Sequence, residues 1–341
     1  MPIPINQQGA FTADIAAQIN ANFAQSLGVT TGNIVFVDPL NGYDGNTGQY
    51  ATNAFSTLAA GYAQLREGKN DVLVLIGNGL TSATARVSSA FTWSKNAAHM
   101  MGVCSPGAIG RRARIAPNGT DTAFANFFTV SGSGCLFQNL EWFHGFNTGT
   151  TAEICLTVSG GRNVFQDCDI QGMGDTTGAT DTGSRNLLIT KTGENTFRRC
   201  SIGIDTVLRT VANYSVEFLG TSPSIPRNVF EDCIFAQWSS SAAAGVLYVA
   251  AGAGVGIDRY QIFKRCIFFN DPKDGSYLAS TGVVKCGTGQ NGVFVITDCT
   301  AVGFTGWGYD ATSRGFVYLA GAGPVANATI SETGLAVNPT A

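Results

Sequence analysis

Hydrophobic and polar positions alternate through the second half of the chain in a unit that recurs about every 33 residues. One copy spans residues 163–170, and further copies follow at 195–202, 228–235, 261–268 and 294–301. An apolar position and a cysteine position each recur at steps of 32, 33, 33 and 33 residues: Phe165, Phe197, Phe230, Phe263 and Ile296, and Cys168, Cys200, Cys233, Cys266 and Cys299. A degenerate copy at 135–142 places Phe137, Leu140 and Trp142 in the same columns. A repeat of this length is typical of a solenoid.

A second strand-like segment that ends in glycine precedes each copy. These segments lie at 128–132, 156–160, 187–193, 216–220, 246–252, 283–287 and 316–321. Period-two runs rich in Val, Ile, Phe and Thr indicate strands, and the 3.6-residue pattern of helical repeats is missing. We therefore predict an all-β protein, a single-stranded parallel β-helix with about 33 residues per coil.

The residues just before the repeated cysteines alternate in charge from copy to copy. The inner member of each pair is Asp167, Arg199, Asp232, Arg265 or Asp298. If successive coils lie about 4.8 Å apart, these side chains form a ladder in which opposite charges are neighbours. Exposed ion pairs contribute little stability, so the ladder is expected to set the register between coils.

Composition excludes several function classes. The formal net charge is −3, with 20 Lys and Arg against 23 Asp and Glu, so no nucleic-acid partner is expected. No apolar run approaches membrane-spanning length, and no secretory signal is expected from the first residues.

The nine cysteines are an odd number without paired short spacings. They are predicted to be buried free thiols, which fits folding in a reducing cytoplasm.

The chain divides into four predicted segments. Residues 1–30 form an N-terminal arm and an amphipathic helix, 31–125 an N-terminal cap and the first coils, 126–322 the regular coils, and 323–341 a tail. The first helix carries a narrow apolar stripe on an otherwise polar surface, which must pack on its own β-helix or on another subunit. The stripe is the predicted assembly contact, and its residues are Phe11, Ile15, Ile19, Phe23 and Leu27.

Residues 34–76 combine a strand, an Asp-Pro step, a Gly-rich turn at 41–48, a helix capped by Asn53 or Ser56, and a strand at 71–76. The turn has some of the acidic spacing of a calcium loop but lacks its final Glu, so it is interpreted as a turn, and no metal or cofactor is predicted. The segment resembles the N-terminal cap of right-handed parallel β-helix proteins of bacteria and their phages. The resemblance implies a right-handed coil, with the helix capping its N-terminal end.

The same resemblance implies two functional classes. The first is a non-catalytic phage virion protein that forms a homotrimer, contacts other capsid or tail proteins, and lies on the virion surface after folding in the host cytoplasm. The alternative is a tailspike-type depolymerase, either a hydrolase or a lyase, that binds host surface polysaccharide. Hydrolysis needs two carboxylates about 5 to 9.5 Å apart.

The loop acids that an enzyme would use are spread over different coils, so no catalytic residue is assigned and the structural role is favoured. Asp175, Asp181 and Asp205 are the catalytic candidates if the chain is an enzyme, and Asp271, Asp274 and Asp310 are the other loop acids. Trp93, Trp238 and Trp307 lie outside the core columns, and they either stack on sugars or pack in the core.

Overall fold

The computed structural model describes residues 32–111, 113–118, 124–145, 153–220, 225–252, 256–271 and 280–319. The first helix with its apolar stripe at Phe11, Ile15, Ile19, Phe23 and Leu27 lies outside the described residues, as do Asp274 and the tail 323–341. The predictions made for those segments therefore stay predictions.

Short strands dominate the described part of the chain. The strands are β1 Ile34–Val37, β2 Asp71–Ile76, β3 Ala85–Val87, β4 Phe91–Trp93, β5 Ala98–Val103, β6 Arg114–Pro117, β7 Asn126–Val130, β8 Leu136–Gln138, β9 Glu141–Phe143, β10 Ile154–Val158, β11 Val164–Gln166, β12 Asp169–Gln171, β13 Arg185–Thr190, β14 Thr196–Arg198, β15 Ser201–Ile202, β16 Leu208–Arg209, β17 Tyr214–Leu219, β18 Asn228–Glu231, β19 Ile234–Ser239, β20 Gly245–Val249, β21 Asp258–Lys264, β22 Ile267–Asn270, β23 Val284–Cys286, β24 Asn291–Thr297, β25 Thr300–Val302 and β26 Val317–Leu319. The helices are α1 Leu58–Gln64, α2 Thr176–Ala179 and α3 Ala311–Arg314, with 3₁₀ turns at Ala51–Asn53 and Thr81–Ala83.

The strands form three parallel sheets in which each strand pairs with its counterpart one coil away. The ten-stranded sheet has the order β1-β2-β5-β8-β11-β14-β18-β21-β24-β26. The nine-stranded sheet path reads β25-β22-β19-β15-β12-β9-β6-β3, with β16 pairing beside it on β19, and the seven-stranded sheet reads β23-β20-β17-β13-β10-β7-β4. The chain is thus an all-β parallel β-helix, as its repeat predicts.

The repeated phenylalanines form a stack inside the coil. Phe165 pairs in register with Phe197, and Phe197 with Phe230. Their ring centroids are 4.7 and 4.6 Å apart, with the rings nearly parallel at 5°. The column continues from Phe230 to Phe263 at 4.7 Å and is fully buried. Each ring therefore lies on its neighbour at the spacing between parallel strands.

The tight corner after each stacked phenylalanine also repeats. Asp167, Arg199 and Asp232 adopt left-handed backbone conformations, with φ of 53°, 50° and 56°. The backbone N–H of Asp167 donates to Arg198 O one coil away, and the N–H of Arg199 donates to Glu231 O. This turn directs the following cysteine inward, and all five cysteines of the column are buried free thiols, as predicted.

A buried ladder of amide side chains joins the coils at the start of the same sheet. The N–H of Asn163 donates to Asn195 Oδ1 at 3.0 Å, and the N–H of Asn195 donates to Asn228 Oδ1 at 3.1 Å. Asn228 Nδ2 then donates to Gln261 Oε1 at 2.8 Å. All four side chains are fully buried, and the ladder pairs backbone groups that the turn leaves without a strand partner.

Helix α1 covers the N-terminal end of the coil, but it begins later than the sequence predicts. Thr57 is the N-cap, because its hydroxyl accepts the N–H of Ala60 at 3.2 Å. Asp44 of the Gly-rich turn explains the choice: its carboxylate accepts the backbone N–H groups of Ser56 and Thr57, each at 2.9 Å. The acid of the turn thus fixes the helix start, and the prediction of Asn53 or Ser56 as the cap is wrong.

The ends of the coil differ from the repeat in two places. Residues 316–321 match the glycine-ended segments, whose other strands lie in the seven-stranded sheet, but β26 pairs with β24 in the ten-stranded sheet. A bridge from Val284 to Gly308 takes that place, so the last coil is shorter. At the other end, β3 and β4 lie within a stretch whose pattern is too irregular to predict strands. In the described residues, no helix has the length and apolar character that a membrane span requires.

Candidate functional site

Two of the three candidate catalytic acids, Asp175 and Asp181, bond backbone groups of their own loop. Asp175 caps α2, since its Oδ1 accepts the N–H groups of Thr177 at 2.7 Å and Gly178 at 3.1 Å. Asp181 closes a turn by accepting the N–H of Gly183 at 2.7 Å. Both lie close enough to Glu153 to help raise its pKa, whereas Asp205 is not among the groups that do so. Asp175 and Asp181 thus act locally on their own loop.

Glu153 and His144 form a buried pair beneath this loop. The His144 Nδ1 atom lies 3.4 Å from Glu153 Oε2, and their side chains are 1% and 3% exposed. Burial raises the pKa of Glu153 to about 8, while burial lowers the pKa of His144. At neutral pH both groups are therefore mainly uncharged. Among the described residues, no group of three or more His, Cys, Asp and Glu side chains is arranged to hold a metal ion.

Another set of polar groups lies on the outer face of the seven-stranded sheet. Glu217 pairs in register with Tyr248, and Tyr248 with Lys285. The residue before each of them, such as Leu247, is buried in the core, so alternation along the strand directs these three side chains outward. Three successive coils thus present a carboxylate, a phenol and an ammonium group in one row.

Arg185 holds this row from one side. Its Nε donates to Glu217 Oε2 at 2.8 Å, and a terminal nitrogen donates to the carbonyl oxygens of Ser184 at 2.7 Å and Thr182 at 2.9 Å. The guanidinium also lies 5.4 Å from the ring centre of Tyr214 and 5.4 Å from that of Tyr248. Because only 7% of its side chain is exposed, Arg185 is fixed and holds the Glu217 carboxylate in place.

The aromatic rings of this face stack on one another. Tyr214 and Tyr248 are 4.4 Å apart with an 8° angle between their planes. The Lys285 ammonium lies 4.6 Å from the ring centre of Tyr309. Burial acts to lower the pKa of Lys285, but a hydrogen bond and charge interaction with Tyr214 outweigh it, so its pKa is raised and the group is cationic. We call Arg185, Tyr214, Glu217, Tyr248, Lys285 and Tyr309 the tyrosine face.

A cleft of about 320 Å³ adjoins the tyrosine face, and Tyr248, Lys285 and Asp310 are among the residues that line it. Of the predicted loop acids that the structure describes, Asp310 alone lines this cleft, although its Oδ1 is used to cap α3 by accepting the N–H of Ser313 at 2.7 Å. Aromatic rings beside a fixed carboxylate and an ammonium group can bind a sugar ring and transfer a proton to or from it.

A further acidic pair lies on the nine-stranded sheet and is neutralised within the fold. Arg111 bonds Asp169 through its guanidinium at 2.5 Å and its backbone N–H at 2.8 Å. Arg114 pairs with Glu141 at 2.8 Å. Burial raises the pKa of Asp169 to about 7. Arg111 and Arg114 thus hold their own segment against the sheet, and solvent does not reach these two carboxylates.

Sequence reasoning missed the tyrosine face because its residues do not repeat. One signal was available: Glu217, Tyr248 and Lys285 each follow directly after an inward apolar residue of the repeat. The tryptophans proved less informative, since Trp93 and Trp307 are buried in the core, and Trp238 is half-buried.

No protein-family model matches the chain, and the search of curated proteins found no match. Solved structures do resemble it. The pectate lyase Pel9A has a TM-score of 0.56 at 17% identity, covering 86% of this chain and 69% of that one. The pectin methylesterase PemA from Erwinia chrysanthemi has a TM-score of 0.52 at 16% identity, covering 82% of each chain. A rhamnogalacturonan lyase has a TM-score of 0.50 at 16% identity, covering 80% of this chain and 68% of that one. At these identities the likeness concerns the fold alone, which is the parallel β-helix.

Proposed function

We propose that this protein binds a polysaccharide on the tyrosine face and cleaves it there. The observation that carries the proposal is the stacked pair Tyr214 and Tyr248, fixed by Arg185 beside Glu217 and Lys285. Support also comes from the fold, because the similar structures are named for a pectate lyase, a pectin methylesterase and a rhamnogalacturonan lyase.

Five of the six residues of the face have a direct role in this proposal, and the buried Tyr214 packs against Tyr248. Tyr248 and Tyr309 offer their rings to the apolar faces of sugar units. Glu217 removes the proton on the carbon next to the sugar's carboxyl group, and the C–O bond to the leaving sugar breaks as a carbon–carbon double bond forms, with a proton from water completing the leaving group. The bond from Arg185 sets the orientation of Glu217. Lys285 stabilises the negative charge that develops during cleavage, as a cation beside a base does in a lyase. The earlier candidates Asp175, Asp181 and Asp205 have no part in it.

The test uses the purified full chain and a panel of bacterial surface polysaccharides. New chain ends should form with the wild-type protein. Glu217→Gln should lower the cleavage rate at least 100-fold and leave glycan binding in place, whereas Tyr248→Ala should weaken binding at least tenfold. Glu231→Gln removes a carboxylate from the ten-stranded sheet and is the matched control. Equal cleavage by Glu217→Gln and wild type would reject the catalytic role, and equal binding by Tyr248→Ala would reject the site.

A second candidate function rests on the outer face of the ten-stranded sheet. One mostly apolar row runs along it over successive coils, with register pairs from strand to strand. The row consists of Leu136, Val164, Thr196, Val229, Ile262, Val295 and Tyr318, all half-buried. A long flat apolar row is suited to packing against other copies. It favours a self-associating virion component, a homotrimer on the virion surface with residues 1–30 as the attachment segment.

Mass measurement in solution tests this candidate. Ile262→Glu should convert a trimer to a monomer, because it places a charge within the row. Ile267→Glu, a matched change at an exposed isoleucine of the nine-stranded sheet, should leave the trimer unchanged. A monomeric wild-type protein, or a trimer in both variants, would exclude this row as the contact.

A further inference from the structure

A cleft at the corner between the seven-stranded and ten-stranded sheets takes no part in the proposed chemistry. Its volume is about 410 Å³, and it is formed by the turns of successive coils, from Ser133 to Arg259. Four cationic side chains line it, Arg162, Lys191, Arg227 and Arg259, together with two carboxylates, Glu194 and Asp258. We call it the basic groove.

Charge is unevenly neutralised within the basic groove. Glu194 lies between two cations, because its Oε2 accepts from Arg162 at 2.9 Å and its Oε1 accepts from Arg227. Asp258 lies 3.8 Å from Arg259, which makes a loose pair. Lys191 has no ion pair among the described residues. Four cations against two carboxylates leave two positive charges in the groove of a chain whose net charge is −3.

The four cationic side chains of the basic groove lie one after another along the axis of the β-helix. Arg162 lies before β11, Lys191 before β14, Arg227 before β18 and Arg259 within β21, and these four strands are consecutive neighbours in the ten-stranded sheet. Adjacent coils are about 4.8 Å apart. A linear polyanion parallel to the axis would therefore meet a cationic side chain on each of four coils. Local excess charge of one sign attracts and aligns such a ligand.

An aromatic ring stands beside this row. Tyr260 exposes 39% of its surface and hydrogen-bonds the Arg227 side chain. A phenol next to a guanidinium suits a sugar that carries an anionic group. A nucleic acid fits less well, because single-stranded binders provide an aromatic ring for successive bases and a strongly basic surface.

We propose that the basic groove binds an acidic glycan, one that carries carboxylate, sulfate or phosphate groups, with its chain parallel to the helix axis. The inference rests on the proposed function, since it names the class of glycan that reaches the tyrosine face from the neighbouring corner. It also assigns recognition of charge to a surface distinct from the one that performs the chemistry.

Binding of the full chain to dextran sulfate and to unsulfated dextran, at low and moderate salt, tests the proposal. The two probes share a backbone and differ in charge. We expect dextran sulfate to bind at least tenfold more tightly. The double variant Lys191→Gln and Arg259→Gln should lose at least tenfold of that affinity and show a weaker dependence on salt. The control is Lys69→Gln with Lys264→Gln, which removes the same charge outside the groove and should change affinity less than twofold.

Each contrary result has a definite meaning. Equal loss in both double variants would show that net charge alone binds the probe, and no loss in the groove variant would show that the groove is not the site. Tighter binding of single-stranded DNA than of dextran sulfate would reject a glycan as the ligand. If the groove variant loses dextran sulfate while no glycan is ever cleaved, the proposed activity fails and the groove remains an anion site. If cleavage is intact and dextran sulfate binding is unchanged in that variant, the groove inference fails alone.

Discussion

The ten-stranded and seven-stranded sheets belong to the same coils but differ in what repeats. Inside the ten-stranded sheet, four successive coils contribute a phenylalanine at the same position, and the rings from Phe165 to Phe263 stack at 4.6 to 4.7 Å. On the outer face of the seven-stranded sheet, successive coils contribute Glu217, Tyr248 and Lys285. The first arrangement is a column of identical groups, and the second is a row of unlike groups.

The difference distinguishes positions at which the repeat fixes the residue type from positions at which the residue type is free to vary. Identical groups stack because each coil offers the same space, so the column stabilises every coil in the same way. A binding site needs different groups at defined positions, and these occur where the repeat leaves the residue type free. The outer face of a sheet is such a place, since its side chains are not required to fill the core.

The largest expected effect comes from interrupting the column. Phe197→Ala removes a fully buried ring between Phe165 and Phe230, which leaves a cavity in the middle of the coil. Truncation of a buried phenylalanine costs about 3 to 5 kcal/mol of unfolding free energy. Denaturant unfolding measures it, and Thr196→Ala on the outward side of the same strand should change stability by less than about 0.5 kcal/mol.

A smaller loss of stability in Phe197→Ala would change the comparison between the phenylalanine column and the tyrosine face. Loss of less than about 1 kcal/mol would mean that neighbouring coils collapse into the space, and the column would then matter less than its regularity suggests. If Tyr248→Ala destabilised the protein as much as Phe197→Ala, the tyrosine face would be part of the scaffold as well.

The same contrast explains how far the sequence predicts the molecule. The columns of Phe165 and Cys168 recur at fixed steps, so their stacking and burial follow from the pattern alone. The tyrosine face depends on Arg185, which reaches Glu217 on the next coil through a contact between residues 32 apart. No periodic signal marks such a contact. The cap of α1 was missed for a similar reason, because Asp44 selects Thr57 from 13 residues away.

A second prediction concerns His99, a buried histidine of β5 near the N-terminal end of the ten-stranded sheet. Its Nδ1 accepts the N–H of Leu136 at 2.9 Å, so that nitrogen carries no proton in the folded state. Burial lowers its pKa from 6.5 to about 4. The unfolded chain therefore binds a proton at higher pH than the folded protein does. The stability that His99 contributes is complete above pH 6.5 and is lost progressively as the pH falls towards 4.

Unfolding free energy measured between pH 6.5 and 5 should fall by about 1.6 kcal/mol through this group, since the full slope of about 1.4 kcal/mol per pH unit is reached only below the unfolded pKa. His99→Gln should flatten that part of the profile. His144→Gln tests the other buried histidine, because burial also lowers the pKa of His144, whereas Glu153 and Asp169 have raised pKa values and oppose the fall in this pH window. An unchanged slope in the His99 variant would mean that Leu136 does not need the unprotonated ring.

The smallest effect is expected at the charge ladder, an exterior feature that repeats from coil to coil. The structure resolves it into separate pairs: Arg199 bonds Asp167 through two nitrogens, each at 2.7 Å, and Arg265 bonds Asp232 at 2.6 and 2.9 Å. Asp232→Lys breaks the second pair and places three cations on successive coils. Because these side chains are well exposed, the melting temperature should fall by only about 2 °C at low salt and recover at high salt.

Asp232→Asn is the control for that change, since asparagine tolerates the left-handed conformation that residue 232 adopts with φ of 56°. It removes the pair without adding a like charge, so its melting temperature should lie between those of the wild type and Asp232→Lys. A shift of equal size at both salt concentrations would assign the effect to the backbone of the corner. The charge ladder and the phenylalanine column would then both stabilise the turn that directs a cysteine into the core. The alternation of charge would not set the register of the coils.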